Sequence, residues 1–289
     1  MKGRKNMATF FNQATLSYSG GVVNSNITSG EILEVLSVTK TAVGGEYMQD
    51  REVTYIVNIV NSGNTSFGAL TLTDDLGAYE LGGNVLRPLD YVEDSVTYFV
   101  NGVLQPTPLV NEGPPLSVTG INVPANSVAT VAYTARANSF ASPETDGSIV
   151  NTATVSGNGI TPISDSETIS AAQEPILDIT KSLTPATVTE NGQLTYTFVI
   201  RNTGNTEAVA TDNVVVTDLF NPILNNITVT YNGEIWSSPD DYTYDESTGL
   251  FTTAIGAITV PAATFTQDAA TGMWTVDPGE VVITVTGTI

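Results

Sequence analysis

Much of this chain is written twice, and that repetition constrains its fold more than any other feature. Val53 to Thr65, VTYIVNIVNSGNT, matches Leu194 to Thr206, LTYTFVIRNTGNT, and Leu72-Thr73-Asp74-Asp75-Leu76 matches Val216-Thr217-Asp218-Leu219. Further on, Val96 to Gly102 matches Thr228 to Gly233, and Val123 to Ala135 matches Val276 to Thr288. Two copies in 289 residues give each copy the length of one ordinary domain, with no room for a third. Within a copy, apolar and polar residues alternate over short runs separated by Gly, Asn, Pro and Asp. Period two means strands with one buried face, and many short strands of this kind fold as a sandwich of two sheets.

The expectation is therefore an all-β protein of two tandem immunoglobulin-like β-sandwiches. Its divisions are an N-terminal donor strand and linker (residues 1–34), repeat one (35–157), a linker (158–175) and repeat two (176–289). The six residues before Met7, open to reading as a leader, as residues ahead of an alternative start or as an added remnant, are left out of the fold reasoning. Cysteine and histidine are both absent, which removes disulfides, thiolate and imidazole metal ligands, and the usual nucleophile–base pairs. No cofactor, no metal and no enzymatic turnover are expected. A net charge of -21, spread along the chain, repels nucleic acid and anionic lipid. No apolar run reaches the length of a membrane span or a secretory signal. The Asp74-Asp75 pair lacks the spacing of a calcium loop, although incidental cation binding by the acidic surface stays open.

The two copies end differently. Repeat one continues into Gly147 to Gly157, GSIVNTATVSG, a final strand; repeat two stops at Ile289, matched here to Arg136. The second sandwich is thus expected to lack its last strand, leaving an unpaired edge. A segment that could supply it lies at the other end: Phe10 to Tyr18, FFNQATLSY, overlays Ile149 to Gly157, IVNTATVSG, with Asn12 on Asn151, Ala14 on Ala153 and Leu16 on Val155. We expect Ala8 to Ser19, through Phe10, Asn12, Ala14 and Leu16, to complete repeat two of a neighbouring copy by strand addition. Donor and acceptor differ, so the contact is head to tail and gives a filament unless it closes a ring. Insertion within one chain competes with this, but Gly20 to Glu34, reaching at most about 50 Å, would have to carry the strand back past all of repeat one.

Strand parity places polar groups among the core residues. Lys40 shares a face with Leu36 and Val38, and Lys181 with Leu177, Ile179 and Leu183. Asp74 follows Leu70 and Leu72; Asp218 follows Val214 and Val216. Asn151 lies between Ile149 and Ala153, and Asn12 between Phe10 and Ala14. Both lysines are expected to be buried, and apart from Lys2 and Lys5 they are the only lysines in the chain. A desolvated lysine is driven toward its neutral, nucleophilic form and a desolvated aspartate toward its protonated form. Lys40 could then attack the carboxamide of Asn151 with Asp74 assisting, and Lys181 that of Asn12 of the next subunit with Asp218 assisting, each releasing ammonia and leaving an isopeptide bond. A buried Lys–Asp salt bridge with Asn bonded to backbone is the competing reading, and the sequence leaves the two open.

The Lys–Asp–Asn triplet resembles that of the isopeptide-bonded immunoglobulin-like domains of bacterial pilins and adhesins. The segments VTYIVNIVNSGNT, LTDDL and NTATV, with LTYTFVIRNTGNT and VTDLF, resemble the conserved-repeat domain of bacterial surface proteins, the domain of unknown function numbered eleven. The opening MATFFNQATLSYSG is similar to the start of proteins from endospore-forming bacteria, including builders of spore appendages. These resemblances imply a structural fibre subunit on the spore surface or outside the cell, whose partners are copies of itself and, as a further candidate, an anchoring protein on that surface. An adhesin or carbohydrate-binding module is the alternative, since a fold does not fix a function. Trp236 and Trp274 are expected at core or interface positions, and the acidic Asp240–Glu246 stretch at a solvated turn.

Overall fold

The computed structural model describes residues 7–33, 35–157 and 159–289, and it is all-β apart from one 3-10 turn at Ala210–Asp212. Alternation sets each strand's faces. In Glu52–Asn61, EVTYIVNIVN, every second side chain from Val53 to Asn61 is buried. Repeat one is a complete sandwich. Its first sheet runs Val103–Leu104, Thr97–Val100, Ser127–Ala137, Glu52–Asn61, Leu36–Ala42, and its second runs Leu109–Asn111, Leu116–Val123, Phe67–Asp74, Ser148–Ser156, Ile163–Ala171, Glu46–Tyr47. Tyr55, Ile59, Leu70, Leu72, Val131 and Tyr133 fill the space between them.

The segment 158–175, expected to be a linker, is corrected by this topology. Ile163–Ala171 is a strand that pairs with Ser148–Ser156 from Val155↔Ile163 to Ser148↔Ser170. Its Ile169 and Ala171 are buried, so ISDSETISA reads as a strand whose apolar residues gather at one end. Repeat one therefore ends in a hairpin and not in a single strand.

Repeat two has the same first sheet, in the order Leu177–Thr184, Gln193–Asn202, Gly279–Thr288, Asn225–Tyr231, Glu234–Ile235. Among the described residues its second sheet consists of Thr217–Leu219, Leu250–Thr253 and Tyr242–Asp245. Stacked aromatics carry this core; Tyr196 and Phe220 lie 4.8 Å apart between ring centres. The ladder corrects one alignment: Tyr133 faces Tyr55 and Val285 faces Tyr196, so Val285 occupies the place of Tyr133, and Ile289 matches Ala137 rather than Arg136.

A second hairpin, Thr264–Gln267 with Trp274–Asp277, reaches from repeat two to repeat one. Gln267 Nε2 donates to Tyr79 Oη at 3.0 Å and the Trp274 amide to the Ser139 carbonyl at 2.9 Å, so Trp274 sits at the junction between repeats. Trp236 stacks on Tyr231 at 4.9 Å. The N-terminal residues form a ladder of their own, Met7–Asn12 against Thr28–Leu33 and Thr15–Tyr18 against Gly21–Asn24.

Candidate functional site

The lysine cluster of repeat one lies where the two sheets meet. Lys40 comes from an edge strand of the first sheet; Asp74 and Asn151 come from adjacent strands of the second, where Asp74 faces Ala153 across the ladder. All three side chains are buried. Lys40 Nζ donates to Asp74 Oδ2 and, at 2.9 Å, to Tyr133 Oη. Tyr133 in turn donates to Asp74 Oδ2, and Asp74 Oδ1 accepts the Leu76 amide at 3.0 Å. Asn151 Oδ1 accepts the Gly77 amide at 3.2 Å, while its Nδ2 approaches Tyr133 Oη at 3.4 Å. Amine and carboxamide thus meet on one tyrosine hydroxyl. The Tyr55 ring lies 4.6 Å from Lys40 Nζ.

Burial dominates the electrostatics. Desolvation pulls the Lys40 ammonium below its ordinary value, with the Asp74 charge opposing it. The Tyr133 hydroxyl is pushed up, by desolvation first and the Asp74 charge next, and stays a proton donor. Sequence reasoning missed Tyr133. Its signal was an inward-facing hydroxyl in VAYTA, on the same face as Val131 and Ala135. Asp165 was also missed: its Oδ2 accepts the Lys40 backbone amide at 2.8 Å, tying the Ile163–Ala171 strand to the lysine strand.

Repeat two brings together only part of this set. Lys181 Nζ donates to Asp218 Oδ2, as expected, and lies over the Tyr196 ring at 4.3 Å. The expectation that Lys181 is buried is corrected, however: the Lys181 and Asp218 side chains are 40% and 18% exposed, against 0% and 1% for Lys40 and Asp74. All of Leu177–Thr184 is exposed. The cause is topological. In repeat one the hairpin Ser148–Ala171 closes this side of the sandwich, whereas among the described residues Thr217–Leu219 pairs only with Leu250–Thr253. Asn12 is not brought to Lys181; it lies in the N-terminal ladder, with Phe10 53% and Leu16 66% exposed.

The other sequence candidates are placed plainly. Asp245 caps a turn through Ser247 and Thr248, whose hydrogen bonds, the Ser247 hydroxyl first, hold its carboxyl below the usual range. The two indoles lie apart, one stacked on Tyr231 and one at the repeat junction. Among the described residues no cluster of three or more carboxylates could hold a metal ion, and no helix is long and apolar enough to cross a membrane.

Fold and geometry define an all-β protein of two tandem immunoglobulin-like sandwiches, one closed and one with an open side. No family model matches the chain, and no curated protein is similar to it in sequence. Among solved structures, it is similar to the major pilin subunit BcpA of Bacillus cereus, at 10% identity over 94% of this chain and 73% of that one, with a TM-score of 0.35. It is similar also to the RrgB pilus protein of Streptococcus pneumoniae, at 11% identity over 96% of this chain and 46% of that one, with a TM-score of 0.36. A C-terminal fragment of a major pilin of Streptococcus agalactiae matches at 11% identity over 79% of each chain, with a TM-score of 0.37. This chain spans less than half the length of the Streptococcus pneumoniae protein.

Proposed function

We propose that this chain is a structural subunit of a bacterial surface fibre, on the spore in the reading its opening residues favour, and that it polymerises head to tail. The N-terminal segment of one copy enters the open side of repeat two of the next. One observation carries the reading: the place held in repeat one by Ser148–Ser156 has no strand among the described residues of repeat two, while a segment with the same residue pattern, Phe10 to Tyr18, stands exposed. Strand addition supplies main-chain hydrogen bonds along the edge, and alternate side chains fix the register. In the repeat-one register, Ala14 faces Asp218, which brings Asn12 to the Lys181–Asp218 pair.

The chemistry proposed is autocatalytic cross-linking and no turnover of a substrate. The neutral Nζ of Lys40 attacks Cγ of Asn151 while Asp74, assisted by Tyr133, polarises the carbonyl and relays the proton. A bond from Cγ to Nζ forms, the bond from Cγ to Nδ2 breaks, and Nδ2 leaves as ammonia carrying the proton the amine gave up. No oxidant or reductant is needed. Lys181, Asp218 and Asn12 of the entering copy repeat the step across the subunit junction. Burial supports this because the amine is nucleophilic only when neutral, and because water is excluded from the bond being made.

Electron microscopy of the purified protein, before and after boiling in detergent, tests both halves. Filaments that survive boiling are the expected result, together with an intact mass lower by one ammonia for the repeat-one bond. Removing residues 1–19 is expected to abolish filaments and loosen repeat two alone. Filaments formed without those residues would refute the proposal.

A further inference from the structure

The N-terminal ladder copies more than one strand of repeat one. In the closing hairpin of repeat one, Asn151 faces Glu167 and Ile149 faces Ile169; in the N-terminal ladder, Asn12 faces Thr28 and Phe10 faces Gly30. The separation between partners is the same in both, so residues 28–33 lie on 167–172 whenever Asn12 lies on Asn151. Only near the turn does the register slip by one, where Thr15 faces Asn24 and Thr154 faces Ser164. The side chains compensate across the pair. Two medium residues, Ile149 and Ile169, are replaced by a large one and none: the Phe10 ring lies so close over Gly30 that a Cβ there would sit 2.5 Å from it. Cores tolerate such a swap when total volume is kept.

We infer that the unit donated to repeat two of the next copy is a two-stranded hairpin, Met7–Leu33, and not a single strand. This rests on the fibre reading above and adds to it. The second donated strand, Thr28–Leu33, would lie along Leu177–Thr184 of the acceptor as Ile163–Ala171 lies along Leu36–Ala42. A lone strand beside Asp218 would leave the lysine edge and Ile179, 52% exposed, in water; the hairpin closes both. The occupant is therefore a second copy of this chain, matched in register over Thr28–Leu33 and in side-chain volume.

The chain contains no cysteine, so paired cysteine variants read the geometry without background. In repeat one Thr154 faces Thr73, and Ser170 runs beside Glu46; the corresponding intermolecular pairs are Thr15 with Thr217, and Glu31 with Thr187. Thr15→Cys chains are mixed with Thr217→Cys chains, and Glu31→Cys chains with Thr187→Cys chains, under mild oxidation. Backbone rungs of a sheet lie within disulfide reach. The hairpin gives covalent heterodimer in both mixtures, and none when Thr15→Cys is mixed with Thr187→Cys. Heterodimer from the Thr15–Thr217 mixture alone would overturn the hairpin and leave single-strand insertion standing; heterodimer from neither would bring down both. Ile32→Cys with Val188→Cys reads the adjacent rung, so a local disturbance at one position does not decide the result.

Discussion

Repeat one and repeat two carry the same lysine and the same aspartate on matching strands, and the two pairs differ in almost everything that governs reactivity. Lys40 and Asp74 are shut away from solvent under a two-stranded cover, while Lys181 and Asp218 are 40% and 18% exposed. The strand sequences LSVTKTA and LDITKSL do not explain this, since both put lysine on the apolar face. What differs is the presence of Ser148–Ser156 and Ile163–Ala171 in one sandwich and of no counterpart among the described residues of the other. Burial, and the chemistry that burial permits, is thus a property of the completed sandwich. The same lysine and aspartate are enclosed in one domain and partly open to solvent in the next. The tyrosine that links amine to carboxamide in repeat one, Tyr133, is Val285 in repeat two, so Lys181 has no hydroxyl from that position.

The largest break in the comparison is expected at the lysines. In chains that also carry Asn151→Ala, so that no cross-link contributes, Lys40→Met should cost about 3–5 kcal/mol, because Asp74 is left buried and unpaired. Lys181→Met in the free subunit should stay within about 1 kcal/mol, since its exposed pair is largely screened by solvent. Thermal unfolding of the two variants measures the gap, and equal losses would show that the openness of repeat two has no energetic weight. Next come the asparagines. Asn151→Ala should remove the mass loss of one ammonia and cost only about 1 kcal/mol, because the Gly77 amide keeps Asp75 Oδ1 at 2.9 Å. Asn12→Ala should leave free-subunit stability unchanged and yield filaments that fall apart on boiling in detergent.

Those asparagines also show how far the sequence could be read. The parity of LSVTKTA, LTLTDDL and IVNTATV was enough to bring Lys40, Asp74 and Asn151 together, because strands of fixed period leave little freedom in where a side chain points. Parity failed for Lys181 because it states which face a residue lies on and not whether anything covers that face. The segment ISDSETISA carries little strand signal, since it alternates polar residues with polar residues over most of its length; only Ile169 and Ala171, at its end, are buried. Tyr133 was legible in principle, as an inward hydroxyl among alanines and valines. Its partners were not, because they come from strands far apart in the chain.

A third test separates the two bonds in time. Burial lowers the Lys40 value, so at neutral pH a larger share of the amine is unprotonated than in an ordinary lysine. Lowering the pH through that depressed value restores the proton and removes the nucleophile, and the rate of ammonia loss should fall by about tenfold per pH unit. Mass measured at intervals after refolding gives the profile for repeat one, which should not depend on protein concentration. The proposed bond between Lys181 and Asn12 requires docking, so its rate should rise with concentration; a first bond that depends on concentration, or a second that does not, would collapse the distinction between closed and open repeats.

The smallest effect is expected at Tyr133. Replacing it with phenylalanine keeps the ring that stacks on Tyr55 at 5.6 Å and removes only the hydroxyl. Asp74 retains Lys40 and the Leu76 amide, so no buried charge loses its partner and the stability cost should be about 1 kcal/mol. Kinetics are the more telling readout. If the hydroxyl serves to hold the Asn151 carboxamide against the amine, Tyr133→Phe should slow cross-linking in repeat one several-fold, toward the rate at which the Lys181 bond forms at saturating concentration, where Val285 already supplies no hydroxyl. An unchanged rate would mean that the second site lacks nothing by carrying valine, and that covering the lysine, rather than the tyrosine, is what the closing hairpin contributes.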